Sequence, residues 1–450
     1  MLCHSVRAAS LTGCLLFCLA AIAGLGLSQA SIAQADRQNW IGTWAAAPQP
    51  GLPARLETFR NQTLRLIIHT SASGAKVRIR ISNTFGDQPL LIGAAHIARR
   101  VSAAEIDPAS DRSLTFLGRS DATIPSGRMI VSDPADLPVP PLSDLAVSIF
   151  LPQSVTATTT HILALQTSYI SPEVGDATAA AKFPVAQTID SWPFLTGVDV
   201  LAPARAAAIV AFGSSTTDGD GSTKDANHRW PDVLAERLQK DSASKARPRA
   251  EPGVLNEGII GNRLLADDQS PRQTGGPFSA VLRRYGGALG QAGLTRFDRD
   301  VFSQTGVRYV ILALGVNDIL FPGAFTPSSE SVSVQNLIDG NRRLIARAHQ
   351  RGIRVIATTI PPFEGAFFEE PVIHFYTSEK EAVRQQVNSW IRTGGEFDGV
   401  IDFDKVLRDP ARPTQLVPAY DSGDHLHAND AGYMASANAI PLALFHSHDE

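Results

Sequence analysis

Cysteine is nearly missing from this chain, and the position of the few residues matters more than their number. Cys3, Cys14 and Cys18 all precede residue 36. A chain processed after that segment would carry no disulfide, no thiolate metal site and no cysteine nucleophile. An excess of either charge is also lacking: 40 Lys and Arg stand against 44 Asp and Glu, a formal net charge of -4. That balance gives no reason to expect a nucleic-acid partner, which would favour a basic stripe. No G-x-G-x-x-G and no P-loop occurs, so nucleotide chemistry has no support. G-x-S-x-G is missing too, which removes the α/β-hydrolase elbow as a template.

What is present begins with a leader. Arg7 is the only charged side chain before Asp36, an apolar run extends from Leu11 through Leu27, and Ala33-Gln34-Ala35 offers small residues for a peptidase. This layout predicts a signal peptide over 1–35 and a secreted or periplasmic product with no membrane span after cleavage. A membrane anchor competes with it, but Gly24, Gly26 and Ser28 interrupt the run and no basic cluster follows. Leu11-Thr12-Gly13-Cys14 resembles a lipoprotein box yet precedes the apolar run instead of following it.

At 450 residues and 44% apolar composition, the chain is expected to be globular with two domains behind the leader. The two parts differ in texture. From about Trp40 to Leu195 the pattern is short and two-fold. Val77-Arg78-Ile79-Arg80-Ile81-Ser82 alternates as a half-buried strand must. Thr63 to His69, Leu90 to Ala94, Ser113 to Leu117 and Leu145 to Leu151 read as further strands between turn-forming pieces. No long helical repeat stands out, and an antiparallel β-sandwich is the natural packing.

From about Ala206 the strands become continuous apolar runs suited to a parallel sheet buried on both faces: Ala207 to Phe212, Tyr309 to Leu314 and Ile353 to Thr358. A helical segment carries Val334, Leu337, Ile338, Leu344, Ile345 and Ala348 and is closed by Gly352. Another is expected from Ser378, with Glu381 completing a capping box, to about Ile391. Such alternation predicts a three-layer α/β domain.

Open parallel sheets place ligands at the carboxyl ends of their strands. There the sequence holds Gly213-Ser214-Ser215-Thr216-Thr217-Asp218-Gly219, then Gly315-Val316-Asn317-Asp318, and near the end Asp424-His425-Leu426-His427. Acyl transfer needs a nucleophile, a base, an orienting carboxylate and donors for the oxyanion. Ser215 follows a buried strand in a glycine-containing turn. Asp424 is near enough in sequence to hold the His427 imidazole, which can accept the serine proton. Asn317 offers a side-chain amide and Gly261 an unshielded backbone N–H for the oxyanion.

In this order the blocks resemble the GDSL/SGNH hydrolases, whose Gly-Asp-Ser, glycine, Gly-x-Asn-Asp and Asp-x-x-His blocks match Gly213-Ser214-Ser215, Asn256 to Asn262, Gly315 to Asp318 and Asp424 to His427. The resemblance covers roughly Ala206 to the C-terminus. It implies Ser215 as nucleophile and first oxyanion donor, Gly261 and Asn317 as the other donors, and Asp424 and His427 as the rest of the triad, with no cofactor and no metal. Asn227 to Asp232 and the β-rich region look like features of the subgroup similar to xylan esterases. The fold so implied is an SGNH-type α/β/α hydrolase over 201–450, preceded by a β-sandwich over 36–200. The substrate so implied is a carboxylic ester, first an acetyl group on a polysaccharide or another short-chain ester. A lipase or esterase on longer acyl chains, and a decayed carbohydrate-binding protein, are the alternatives. One position departs from the family: Ser214 stands where the family has Asp, which puts the hydrogen bonding of the serine loop in question.

Three other readings attach to the same residues. His425 and His427 with Asp424 and Asp430 could bind a metal if both rings point one way. Asp218-Gly219-Asp220-Gly221 with Asp225 faintly resembles a calcium loop but mismatches its glycine and glutamate positions, so a solvated acidic turn is expected. Trp40, Trp44, Trp192 and Trp230 could stack on sugars, with core or interdomain packing as the plainer reading.

Overall fold

The structure is a computed structural model that describes residues 38–52, 56–244, 252–268, 287–367 and 375–445; the expected leader lies outside them. In the N-terminal region every ladder is antiparallel. One sheet runs Gln38–Ala45, Leu195–Pro203, Val77–Ser82, Met129–Val131; a larger one is built around Gln62–His69, Asp144–Leu151 and Ala94–Ser102. Alternation explains the packing. Leu64, Leu66 and Ile68 face a core shared with Ile79, Ile81, Val198 and Val200 of the first sheet. On the opposite face Ile67 packs with Ala98, Ala146, Tyr169 and Phe183. Arg65 shares that face, stacked 4.5 Å over the Phe183 ring and donating to the carbonyls of Ala104, Thr178 and Ala180.

Two long elements here do not follow from the sequence pattern. Leu195–Pro203 is a nine-residue strand paired on both sides, and an expected boundary at residue 200 falls inside it. The expected strand Leu90–Ala94 ends at Ile92, and Ala94–Ser102 is a separate nine-residue strand beyond Gly93. Its Arg99-Arg100 end is polar because it pairs at the solvent edge, where Arg100 meets Asp144 at 2.9 Å.

The second half is a five-stranded parallel sheet in the order Gly253–Gly258, Ala208–Gly213, Val307–Ala313, Arg354–Thr358, Gly399–Ile401. The continuous apolar runs arise because both faces are covered. Ala208, Val210 and Phe212 face a core with Leu337, Leu344 and Val387 of the helices Val334–His349 and Ser378–Thr393. Ile209 and Ala211 face Trp230, Leu234, Tyr433 and Ala437 of the helices Trp230–Ala243 and Asp430–Asn438. The cap of Ser378–Thr393 sits one residue earlier than expected: Thr377 accepts from the Lys380 N–H, while Glu381 turns inward to pair with buried Arg384 at 2.7 Å. No described helix is long and apolar enough to cross a membrane.

The two halves are joined by buried polar contacts. Gly42 N–H donates to the Thr305 carbonyl at 2.9 Å, Val254 N–H to Ser71 Oγ at 2.9 Å, and Gln239 to the Ser71 carbonyl at 2.8 Å. The tryptophans serve packing: Trp44 meets Trp192 edge-on at 4.9 Å, Trp230 meets Phe403 at 5.7 Å, and Trp40 is covered by Arg78 at 4.5 Å.

Candidate active site

The strand order puts Ala208–Gly213, second from the sheet edge, between Gly253–Gly258 and Val307–Ala313; the chain passes from it to the edge strand on one side and then crosses back to Val307–Ala313 on the other. Three site residues follow these three strands. Ser215 opens a single helical turn, Ser215–Asp218; Gly261 sits in the loop after Gly258; Asn317 lies in the short helix Val316–Leu320. Two of these turns require glycine. Gly315 holds φ +115° and Gly261 φ +70°, where a side chain is disfavoured, and a Cβ on Gly261 would come 2.6 Å from Leu289.

The fourth piece comes from the C-terminal loop. His427 Nε2 lies 2.8 Å from Ser215 Oγ, and His427 Nδ1 lies 2.5 Å from Asp424 Oδ2. Asp424 is fixed in turn: its other oxygen accepts from the backbone N–H groups of Leu426 and His427 and from Ser422 Oγ. Ser215 and His427 are each only 3% exposed. The structure therefore brings Ser215, His427 and Asp424 into one hydrogen-bonded chain. Asn317 donates one amide hydrogen to the Asn262 carbonyl at 3.0 Å and keeps a second for a ligand. Among the described residues the Gly261 N–H has no partner in the protein.

The two histidines of His425-Leu426-His427 go to different carboxylates. His425 Nδ1 meets Asp421 at 2.5 Å in a half-exposed position, while His427 meets Asp424, so the rings do not converge. Among the described residues no group of three His, Cys, Asp or Glu could hold a metal.

The expectation of a solvated acidic turn for Asp218-Gly219-Asp220-Gly221 with Asp225 holds at Gly221 and Asp225, which are exposed, and is corrected at Asp218. Asp218 is 2% exposed, receives the Ile260 N–H at 3.0 Å and faces His161 Nε2 at 2.9 Å. His161 belongs to the N-terminal region, and its Nδ1 donates to the Ala47 carbonyl at 2.9 Å. Asp225 accepts from the Gln166 side chain and the Thr167 N–H. Asp220 stands beside the imidazole, with Oδ2 3.8 Å from His427 Nε2. None of this was visible in the sequence, because each partner is more than 40 residues away.

Buried Arg296 was also not foreseen. It donates to the carbonyls of Gly213 and Glu257 and to Asn262 Oδ1, pairs with Asp300 at 2.9 Å, and stacks 4.0 Å over the Phe212 ring. Asp318 does similar work from the other side, accepting the N–H groups of Leu264 and Leu265 at 2.7 and 2.9 Å. Burial nonetheless pushes its carboxyl above the ordinary range.

The charges around His427 oppose its burial. Desolvation disfavours the imidazolium, but the hydrogen bond to Asp424 and the negative charges of Asp220, Asp424 and Asp421 outweigh it and lift the group above its ordinary value of 6.5. Asp424, raised by burial, is pulled well below the usual carboxylate range by its bonds to His427 and Leu426. A base must be neutral to accept a proton, so raising its pKa moves the loss of activity to higher pH. The acid limb of kcat/KM is expected above pH 6.5. Asp424→Asn should move the residual activity's limb downward, and an unmoved limb would show that another group sets it.

Ser214 is fully buried, and its hydroxyl has no partner among the described residues. Losing such a hydroxyl costs little. Ser214→Ala is therefore expected to keep the wild-type rate on p-nitrophenyl acetate, and a loss beyond about tenfold would reveal a bond formed only with substrate.

No curated protein matches the chain in sequence. Among solved structures, a GDSL-like lipase from Bacteroides thetaiotaomicron VPI-5482 is 16% identical, covering 54% of this chain and 88% of its own at a TM-score of 0.32. The M. smegmatis aryl esterase is 18% identical, covering 52% of this chain and 95% of its own at 0.36. A carbohydrate esterase family 2 enzyme plus carbohydrate binding domain from Corynascus thermopiles (Myceliophthora fergusii) is 16% identical, covering 91% of this chain and 98% of its own at 0.35. A family model described as GDSL-like Lipase/Acylhydrolase matches residues 209–440, more than half of the chain and all four sequence blocks. The chain belongs to the GDSL-like lipase/acylhydrolase family, and as such is an ester hydrolase with a strand-rich N-terminal region.

Proposed function

We propose that the protein is an exported serine esterase that works through an acyl-Ser215 intermediate and takes short acyl groups, acetyl esters of polysaccharide first among them. The observation that carries the mechanism is the chain Ser215 Oγ, His427, Asp424 at 2.8 and 2.5 Å. His427 takes the proton from Ser215 Oγ as that oxygen bonds to the ester carbonyl carbon. Asp424 holds the imidazole by Nδ1 and stabilises the imidazolium. The oxyanion falls to the N–H groups of Ser215 and Gly261 and the Asn317 amide. Each such donor is worth about 3 to 4 kcal/mol of transition-state stabilisation. His427 then returns its proton to the departing alcohol. Export rests on the layout of residues 1–35, and a secreted or periplasmic protein with a β-sandwich over 36–200 and a hydrolase over 201–450 fits that layout.

For the acyl group the supporting feature is a small crevice beside Gly261, lined by Arg263, Asp268, Leu289, Phe321 and Thr326. Charged walls and a short reach suit acetyl, since a longer chain gains about 0.8 kcal/mol per CH₂ only where an apolar surface buries it. One observation favours longer chains. Phe321, Phe325, Phe367 and Phe375 form a cluster of edge-on and tilted rings, and Phe367 lies 6.2 Å from the His427 ring. A series of p-nitrophenyl esters separates the two. Rates should peak at two to four carbons and then fall; rates that climb through eight or ten carbons would give the phenylalanine cluster the acyl chain. Acetate release from acetylated xylan tests the alcohol side. Deleting residues 36–200 would not be a clean test of polysaccharide binding, because it also removes His161 from buried Asp218.

A further inference from the structure

Three carboxylates, Asp424, Asp421 and Asp220, act on His427, and Asp218 lies beside Asp220; all but Asp220 are held by other side chains. Asp424 holds Nδ1, Asp421 holds His425, and Asp218 holds His161 and the Ile260 N–H. Asp220 is different. Its backbone is fixed at both ends, the N–H donating to the Ser215 carbonyl at 3.0 Å and the carbonyl accepting from buried Tyr433 Oη at 2.5 Å. Apart from the backbone N–H of Gly221, its carboxylate has no hydrogen-bond donor among the described residues, and Nε2 of His427 stands 3.8 Å away. Nε2 is the nitrogen on the reacting side, and the Asp220 side chain is one-third exposed, open to what enters the site.

We propose that Asp220 is a catalytic residue of the second half of the reaction, accepting a hydrogen bond from the water that hydrolyses the acyl-enzyme; this rests on the Ser215 reading above. In the acyl-enzyme Ser215 Oγ is an ester oxygen with no proton, so Nε2 is free to accept from water. A polar pair 3.8 Å apart is too distant to bond directly, yet one water about 2.8 Å from each atom spans it. One O–H points at Nε2 and the other at Asp220 Oδ2, which aims the water's lone pairs away from both and toward the acyl carbon. As the new C–O bond forms, the first O–H breaks and its proton passes to Nε2. The C–Oγ bond then breaks, the proton returns to Oγ, and the carboxylic acid leaves. Asp220 neither gains nor loses a proton.

The test uses the difference between water and an alcohol. Methanol has one O–H, which His427 needs, and nothing left to give Asp220. Full-length wild type, Asp220→Ala and Asp220→Asn are assayed on p-nitrophenyl acetate with methanol present, and acetate and methyl acetate are quantified by NMR. Asp220→Ala should slow acetate formation about tenfold or more, the scale of a lost hydrogen bond to a charged group. The ratio of methyl acetate to acetate should rise with it. Asp220→Asn keeps an acceptor oxygen, so its ratio should rise less, by severalfold. A purely electrostatic or structural part for Asp220 slows both products together, so an unchanged ratio in both variants overturns the proposal. Failure of the Ser215 reading looks different: Ser215→Ala would then still release p-nitrophenol at the wild-type rate.

Discussion

Ser215→Ala is expected to lower kcat by about 10⁴- to 10⁶-fold and to abolish labelling by a fluorophosphonate probe, while leaving the far-UV circular dichroism unchanged. The fold tolerates the change because, among the described residues, the Ser215 side chain bonds only to His427 in the resting site. His427→Ala should fall into the same range, since nucleophile and base act as one unit, and the double variant should be scarcely worse than either. Two neighbours serve as controls. Ser214→Ala removes a hydroxyl without a partner among the described residues, and His425→Ala removes a half-exposed ring held by Asp421, so both should stay near wild type. Labelling that survives in Ser215→Ala and disappears in Ser214→Ala would move the nucleophile by one residue. Equal, large losses from His425→Ala and His427→Ala would reopen the metal reading.

The reasons these residues could be found from sequence are local. Ser215 and Asn317 each follow a strand whose apolar run marks it as buried, Gly261 is marked only by its place in the glycine block because the strand before it, Gly253–Gly258, carries Asn256 and Glu257, and Asp424 lies three residues from His427. Strand ends in a parallel sheet converge on one edge, so order along the chain was enough to bring them together. The helix Val334–His349 was legible for a similar reason, its apolar residues repeating at helical spacing, and Ser378–Thr393 from the polar residues at its start. What escaped is everything fixed by distant pairing. Leu195–Pro203 has Gly197 and Asp199 in it and lacks clean alternation, because it is buried on both faces and Asp199 is answered by Arg78 at 3.0 Å. His161 is an unremarkable histidine until the N-terminal region docks on Asp218. Asp220 sits in a run that reads as a polar turn, and only the arrival of the C-terminal loop turns it into a neighbour of the base.

Arg296 is the largest of these unforeseen residues in its expected effect, and Arg296→Met should destabilise the protein by about 3 to 5 kcal/mol, read as a lowered urea midpoint. The guanidinium is fully buried, and burial lowers its pKa against the pull of Asp300. It stays charged because it is surrounded by acceptors: two carbonyls, the Asn262 amide oxygen and Asp300. Methionine fills similar volume but supplies none of those donors. The carbonyls of Gly213 and Glu257 would be left dry, and Asp300 would keep only Arg299, which holds it at 2.6 Å. Partial compensation by Arg299 is why the expected loss is no greater. The effect should also reach the chemistry. Gly213 leads directly into Ser214 and Ser215, and Asn262 follows Gly261 while its carbonyl receives the Asn317 amide. One side chain thus ties the serine turn to the loop that supplies the oxyanion donors. At a temperature where Arg296→Met remains folded, fluorophosphonate labelling should be slower than in wild type. Arg296→Lys keeps the charge but cannot reach four acceptors in a plane, so it should fall between the two in both measurements. A variant that loses stability yet labels at the wild-type rate would confine Arg296 to holding the fold, and would leave the alignment of the site to Asp318 and its two backbone N–H donors alone.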